Sequence, residues 1–188
     1  MDLGLLPSRY AKALFDSACE KGLSGGVYEA MLNLEAMFDG HEGAGLTAAV
    51  ANPYVDEAEK SALISSACGR VSDNQAGVDA LIKDFVKLLF HNRRQTLGRA
   101  IALSYIGLYR KKNGIRRVTV EWASRPVAST ESQMRDLVQR HIGDNTMEYD
   151  SKVNTQLIGG FRIAVDNERL DASVANEFNQ LRQQLLSK

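Results

Sequence analysis

At Asn113-Gly114 the hydrophobic period of the chain changes. Ahead of it, apolar residues recur every three to four positions, the repeat of one helix face. Beyond it, alternation appears: Val118, Val120 and Trp122 are separated by polar residues, and Phe161, Ile163 and Val165 alternate with Arg162, Ala164 and Asp166. Helix stripes bury against other helices, whereas alternating strands build a sheet that needs a covering layer. The 188 residues fit one domain or two small ones. The change of period divides them into an α-helical bundle N-terminal domain over residues 1–112 and a small α+β C-terminal domain over residues 113–188.

The first region holds six helical segments. Residues 8–21 place Ala11, Leu14, Phe15 and Ala18 on one face, and Gly22 ends the helix. Ser24 can cap a second helix with Val27, Ala30, Met31, Leu34, Met37 and Phe38 at helical spacing. A glycine-rich loop at 39–45 precedes a short turn at 47–51, which Pro53 stops. Asp56 and Glu59 have capping-box spacing and open a helix carrying Lys60, Leu63, Ile64, Ala67 and Val71. After a loop at 72–77, Val78, Leu81, Ile82, Phe85, Val86, Leu88 and Leu89 form an unusually wide apolar face. A break at 91–94 leads to the stripe Leu97, Ala100, Ile101, Ser104, Tyr105, Leu108 and Tyr109. Short connections between such segments imply a bundle.

The second region reads β-α-β-β-α. Residues 118–123 form a strand, and Ser129 or Thr130 opens a helix, with Gln133 three residues after Thr130. Met134, Leu137, Val138, His141 and Ile142 share a face of that helix, so His141 reads as a packed or boundary residue. Gly143-Asp144-Asn145 turns into a strand at 146–149. Gly159-Gly160 interrupts the next apolar run, which indicates a bulge or a close backbone approach. Asp166-Asn167 marks a turn, and the stretch from 153 to 175 supplies a further strand or two. Asp171 or Ser173 can cap a terminal helix with the stripe Val174, Phe178, Leu181 and Leu185.

Charge and composition narrow the function. The 23 basic residues balance 23 acidic ones, and both are spread evenly on either side of Gly114, so no broad basic field is offered to nucleic acid or anionic lipid. Five basic residues do cluster at Arg110, Lys111, Lys112, Arg116 and Arg117. They stand where a helix ends, and positive charge there complements its dipole. Cys19 and Cys68 lie far apart without ligand spacing, and so do His41, His91 and His141. There is no phosphate-cradling glycine motif. Asp56, Glu57 and Glu59 lack partners for metal or acid-base work and read as a helix start. No apolar run reaches the roughly 20 residues that span a bilayer, and the opening MDLGLLPSRY does not read as a signal peptide. The expectation is a non-catalytic connector without cofactor or metal; the alternatives are a helical protein-binding adaptor or a weak nucleic-acid binder through residues 110–117.

Four stretches carry a resemblance to a known family. Residues 157–181, LIGGFRIAVDNERLDASVANEFNQL, are similar to the C-terminal signature of the delta subunit of F-type ATP synthases, the oligomycin-sensitivity-conferring protein family. Arg9-Tyr10-Ala11-Lys12-Ala13-Leu14-Phe15 matches its opening letter for letter. Asn52-Pro53 followed by Lys60, and FVKLLFHNRRQTLGRAIALSYIGLY at 85–109, resemble its middle. The chain departs at Ala172, where glycine is usual, and at Asn154-Thr155, where Asp-Pro is frequent; both affect turns.

The resemblance implies a stator subunit with no active site, joining the catalytic head to the membrane-anchored peripheral stalk in support of proton-driven ATP synthesis. It implies that the helical domain holds N-terminal helices of alpha subunits and that the C-terminal domain meets b-type stalk subunits. It further implies a peripheral place at the cytoplasmic face of the cell membrane, reached only through the complex, with no nucleic-acid partner. In the family the alpha-binding groove lies between the first and fifth helices. Carried onto this chain, those are residues 8–21 and 78–90, and the groove residues are Tyr10, Ala13, Leu14, Val78 and Ile82.

Overall fold

The computed structural model describes residues 4–39, 45, 47–49, 52, 54–71, 74–176, 178 and 182–183. The chain divides into two compact units, Met1–Arg110 and Lys111–Lys188. In the first, α1 (Leu5–Glu20), α2 (Ser24–Asp39), α3 (Glu57–Ala67), α4 (Gln75–His91) and α5 (Gly98–Asn113) follow one another, with a 3-10 turn at Gln95–Leu97 before α5. α5 ends three residues past the division. Thr47, Ala48 and Ala49 are also helical; the rest of the expected turn lies outside the described residues.

Local chemistry explains the boundaries. Gly22 ends α1 at φ +68°, where the Leu23 N–H donates to the Ala18 carbonyl at 2.8 Å and the Gly22 N–H to the Cys19 carbonyl at 3.1 Å. This is a Schellman stop. Ser24 is the first residue of α2 rather than a residue outside it, and its carbonyl accepts the Tyr105 hydroxyl at 3.1 Å. α3 stops at Ala67 instead of reaching Val71. Gly69 turns the chain at φ +65°, and the Asn33 side chain donates to the Cys68 carbonyl at 2.9 Å. α4 starts three residues before Val78 because the Asn74 side chain accepts the Gly77 N–H.

The core of this unit runs through every helix: Leu14 and Ala18 of α1, Val27 and Leu34 of α2, Ile64 of α3, Ile82 and Val86 of α4, Ile101 and Tyr105 of α5. Aromatic rings close one end, with Tyr28 stacked on Tyr109 at 4.3 Å and Phe15 tilted against Tyr105 at 5.8 Å. Burial on this scale, at about 25 cal/mol per Å² of apolar area, is the main force holding the bundle.

The second unit has a four-stranded sheet, with the helix α6 (Ala128–Ile142) between its first two strands and further helical residues at 174–176, 178 and 182–183. The strands are β1 (Ile115–Trp122), β2 (Thr146–Val153), β3 (Gly160–Val165) and β4 (Glu168–Ser173), in the spatial order β2-β1-β3-β4. β1 is parallel to β2 and antiparallel to β3, which is antiparallel to β4. Val118, Val120, Trp122 and Ile163 from the sheet pack with Met134, Val138 and Ile142 of α6.

Several boundaries differ from the sequence pattern. β1 begins at Ile115 and so takes in Arg116 and Arg117. α6 begins at Ala128, not after Ser129 or Thr130, because the Val127 carbonyl already accepts the Thr130 and Glu131 N–H groups. β2 continues to Val153, and β4 is a full strand paired from Glu168 to Ser173. The close approach at the glycine pair is to the β4 backbone at Gly160 and to the Val174 side chain at Gly159. A Cβ on Gly160 (φ +81°) would sit 2.2 Å from the Ala172 carbonyl oxygen, and one on Gly159 would sit 2.9 Å from Val174. Ser173, not Asp171, caps the helical turn that follows, accepting the Asn176 N–H at 3.3 Å. Leu181 and Leu185 lie outside the described residues.

Candidate protein-binding surfaces

The five residues expected to form a groove divide by depth. Leu14, Val78 and Ile82 are core residues, at 2%, 0% and 2% exposure. A side chain so buried presents no area to a ligand, so these three support a surface from beneath. Tyr10 is half-buried against the core, and Ala13 is exposed. α1 and α4 meet where the Tyr10 ring stands edge-on to Phe85 with centroids 6.4 Å apart. On the same flank of α1, Leu6 lies one turn before Tyr10 and is exposed; Leu88, one turn after Phe85 on α4, is exposed as well. The structure thus brings Tyr10 together with Phe85, which the sequence left among core positions. The signal was the width of the α4 stripe: seven apolar positions are more than one buried face holds.

A second surface lies in the other unit. Among the described residues, α6 packs on the sheet face that carries Val118, Val120 and Ile163, and the β3–β4 half of that face is only partly covered. A groove of about 590 Å³ results, with Leu137, Val138, Ile163, Val165 and Leu170 along it. Its lips, Leu137 and Leu170, are 53% and 59% exposed. Arg140 and Arg169 flank it, as does His141, whose Nε2 is 3.5 Å from Glu168 Oε2. His141 is exposed, which corrects its reading as a packed or boundary residue.

The basic cluster is split between the two units, Arg110 in the first and the other four in the second. Arg110 lies in the last turn of α5, its Nε donating to the Tyr28 hydroxyl at 3.0 Å. Arg116 and Arg117 lie in β1 and alternate to opposite sheet faces. Arg116 pairs with Asp166 at 2.7 Å, and that hydrogen bond together with the carboxylate charge raises the Arg116 pKa. Asp166 also accepts the Arg117 N–H and fixes the β3–β4 turn against β1. Among the described residues no group of three or more His, Cys, Asp or Glu is placed to hold a metal ion. None of the described helices is long and apolar enough to cross a membrane.

Comparison with known proteins finds whole-chain similarity. The family model for the ATP synthase delta (OSCP) subunit matches residues 6–185. The ATP synthase subunit delta of Parabacteroides distasonis is 37% identical over 186 residues, covering 99% of this chain and 98% of the relative. The subunit of the same name from Bacteroides thetaiotaomicron is 32% identical over 188 residues, covering 100% and 97%. A chain in the cryo-EM structure of the Toxoplasma gondii mitochondrial ATP synthase hexamer superposes with a TM-score of 0.72. It is 19% identical, with 97% of this chain and 98% of that chain covered, a likeness of fold.

Proposed function

The chain belongs to the ATP synthase delta (OSCP) subunit family, and from that premise we propose that it is a stator linker between the catalytic head and the membrane-anchored peripheral stalk. As a delta subunit it is a non-catalytic part of the complex. Its task in this reading is mechanical: it keeps the head from turning with the central shaft while proton flow drives ATP synthesis. It works at the cytoplasmic face of the membrane, attached through its partners.

The observation that carries the reading is the pairing of exposed apolar surface with small side chains on α1. Half-buried Tyr10 stands edge-on to Phe85 of α4, the exposed Leu6 and Leu88 lie one turn away on their helices, and the small, exposed Ala13 follows Tyr10 by one turn. A ring edge next to a small side chain suits an amphipathic helix laid into a groove. The occupant is the N-terminal helix of an alpha subunit. The test is titration of an alpha N-terminal peptide into the full chain. Tyr10→Ala should weaken binding by roughly 1–2 kcal/mol, as for a central anchor. Ala13→Trp should block it at unchanged Tm, because exposed substitutions cost little stability. Unchanged affinity in both variants would place the groove elsewhere.

The groove between α6 and the β3–β4 hairpin is the corresponding site for a b-type stalk subunit. Its apolar lips fit the stripe of a long helix. Replacing Leu137 and Leu170 together by glutamate should abolish capture of the stalk subunit by the full chain while alpha-peptide binding stays intact. Undiminished capture would remove the groove from that role.

A further inference from the structure

Ser65 of α3 is half-buried, and its Oγ is sealed from solvent without a hydrogen-bond partner among the described residues. Buried hydroxyls in folded proteins nearly always have one, so a lone hydroxyl needs a reason. Ser65 stands on the wall of a groove of about 680 Å³ between α3 and α4. Ala58, Ser61 and Ala62 complete the α3 wall, and Lys83, Lys87, Phe90 and His91 form the α4 wall. Phe90 belongs to the core cluster and gives the groove an apolar base. Lys83, Lys87 and His91 recur every four residues, so they share one side of α4, and all three are exposed.

The lining is one-sided in its chemistry. It holds two ammonium groups, an imidazole and two hydroxyls, and no carboxylate. Asp84, beside the groove, pairs with Lys87 at 3.7 Å, but both side chains are well exposed, which leaves that pair weak. Lys83 makes no ion pair among the described residues. Ammonium groups attract an anion as point charges, and serine hydroxyls turn about a single χ1 to donate to its oxygens. A phosphate ester matches this set. Its charge meets the two lysines, and its several strong acceptor oxygens use the hydroxyls as well. The partner that Ser65 lacks is then supplied by the ligand. The alanines and Phe90 take the apolar body to which the phosphate is attached, in a volume ordinary for small-molecule sites.

We propose that the α3–α4 groove binds a phosphate ester with an apolar or aromatic body, held by Lys83 and Lys87 from one wall and by Ser61 and Ser65 from the other. Two sources present that chemistry: a soluble nucleoside phosphate and a phospholipid headgroup that ends in phosphate. The site does not depend on which subunits the chain joins.

The test titrates adenosine 5′-monophosphate and dihexanoylphosphatidic acid, the latter below its micelle concentration, into the isotope-labelled full chain. Adenosine, which lacks the phosphate, and dihexanoylphosphatidylcholine, whose charge is balanced, are the controls. At least one phosphate probe should saturate the protein, at least tenfold more tightly than its control and more weakly as salt rises. Amide shifts should centre on Ser61, Ser65, Lys83 and Lys87. Saturation by the nucleotide alone supports the site with a soluble ligand, and saturation by the lipid alone supports it with a headgroup. Lys83→Glu combined with Lys87→Glu should lower the affinity at least tenfold at unchanged Tm, since both lysines are exposed. Ser65→Ala should lower it about threefold, and Ala13→Trp, on α1, should leave it unchanged. No saturable binding of either probe at millimolar concentration, shifts centred elsewhere, or full affinity in the lysine or serine variants would overturn the proposal. Should the double lysine variant melt early, Lys83→Gln alone decides: full affinity in it refutes the site.

Discussion

Single side chains in this fold owe their chemistry to depth. Cys68 lies in the core at the end of α3, and burial, with a smaller contribution from Asp79, pushes its thiol up to about 12. Cys19 is exposed on α1. Since the thiolate is the nucleophile, the folded protein at pH 8 should take up one equivalent of an alkylating reagent, at Cys19, and a second only after unfolding. Rapid uptake of two equivalents under native conditions would contradict the placement of Cys68. Asp171 is governed by hydrogen bonding instead. The Ser173 side chain and backbone N–H, and then Arg162, hold its carboxyl below the usual range. A depressed carboxyl stabilises the fold above its unfolded pKa of about 3.9, and that contribution disappears as pH falls through the folded value. The Tm difference between wild type and Asp171→Asn should thus be steady from pH 7 to 5 and shrink in stronger acid. A difference that persists unchanged to pH 2 would assign the effect of Asp171 to something other than its charge.

At the scale of elements, what the sequence disclosed depended on whether the governing interaction was local. Helix periodicity located α1, α2, α4 and α5, because each buries a stripe against the same core. Gly22 and Gly114 marked stops correctly, since a left-handed residue ends a helix whatever surrounds it. The misplaced boundaries have tertiary causes. α3 stops early because Asn33 of α2 takes the Cys68 carbonyl. β1 starts at Ile115 because its ladder to Thr146 does, although Arg116-Arg117 looks like a charged helix end. β4 alternates only over Leu170 and Ala172, too short a run to mark a strand by itself; its pairing to β3 makes it one. The same limit applies to the residues expected to line a groove. Spacing marked α1 and α4 as amphipathic but could not tell Tyr10 and Ala13, outside the core, from Leu14, Val78 and Ile82 within it. Depth within a shared face is set by which neighbouring helix lies over it.

For the molecule as a whole, the two units each own a core: the helices of the first share one cluster, and the sheet and α6 share another. A unit with its own core can fold alone. Residues 1–112 expressed without the rest should therefore give a helical circular dichroism spectrum and a cooperative melt. A spectrum lacking helix, or a gradual melt, would show that the C-terminal unit is needed to complete the bundle.

The register of the sheet also fixes how it would resist a pull along its strands. The chain enters the C-terminal unit at the Ile115 end of β1. β3 runs back along β1 with Trp122 opposite Phe161, and β4 returns so that Ser173 faces Gly160. The Ile115 end of β1 and the Ser173 end of β4 accordingly lie at opposite ends of the strands. Tension between them draws the strands past one another lengthwise, and the ladder hydrogen bonds share it together. Were both at the same end, the bonds would open one pair at a time, as a zip does. In the strand order β2-β1-β3-β4, a pull on β1 meets ladder bonds along both of its edges, whereas one on β4 meets those to β3 alone.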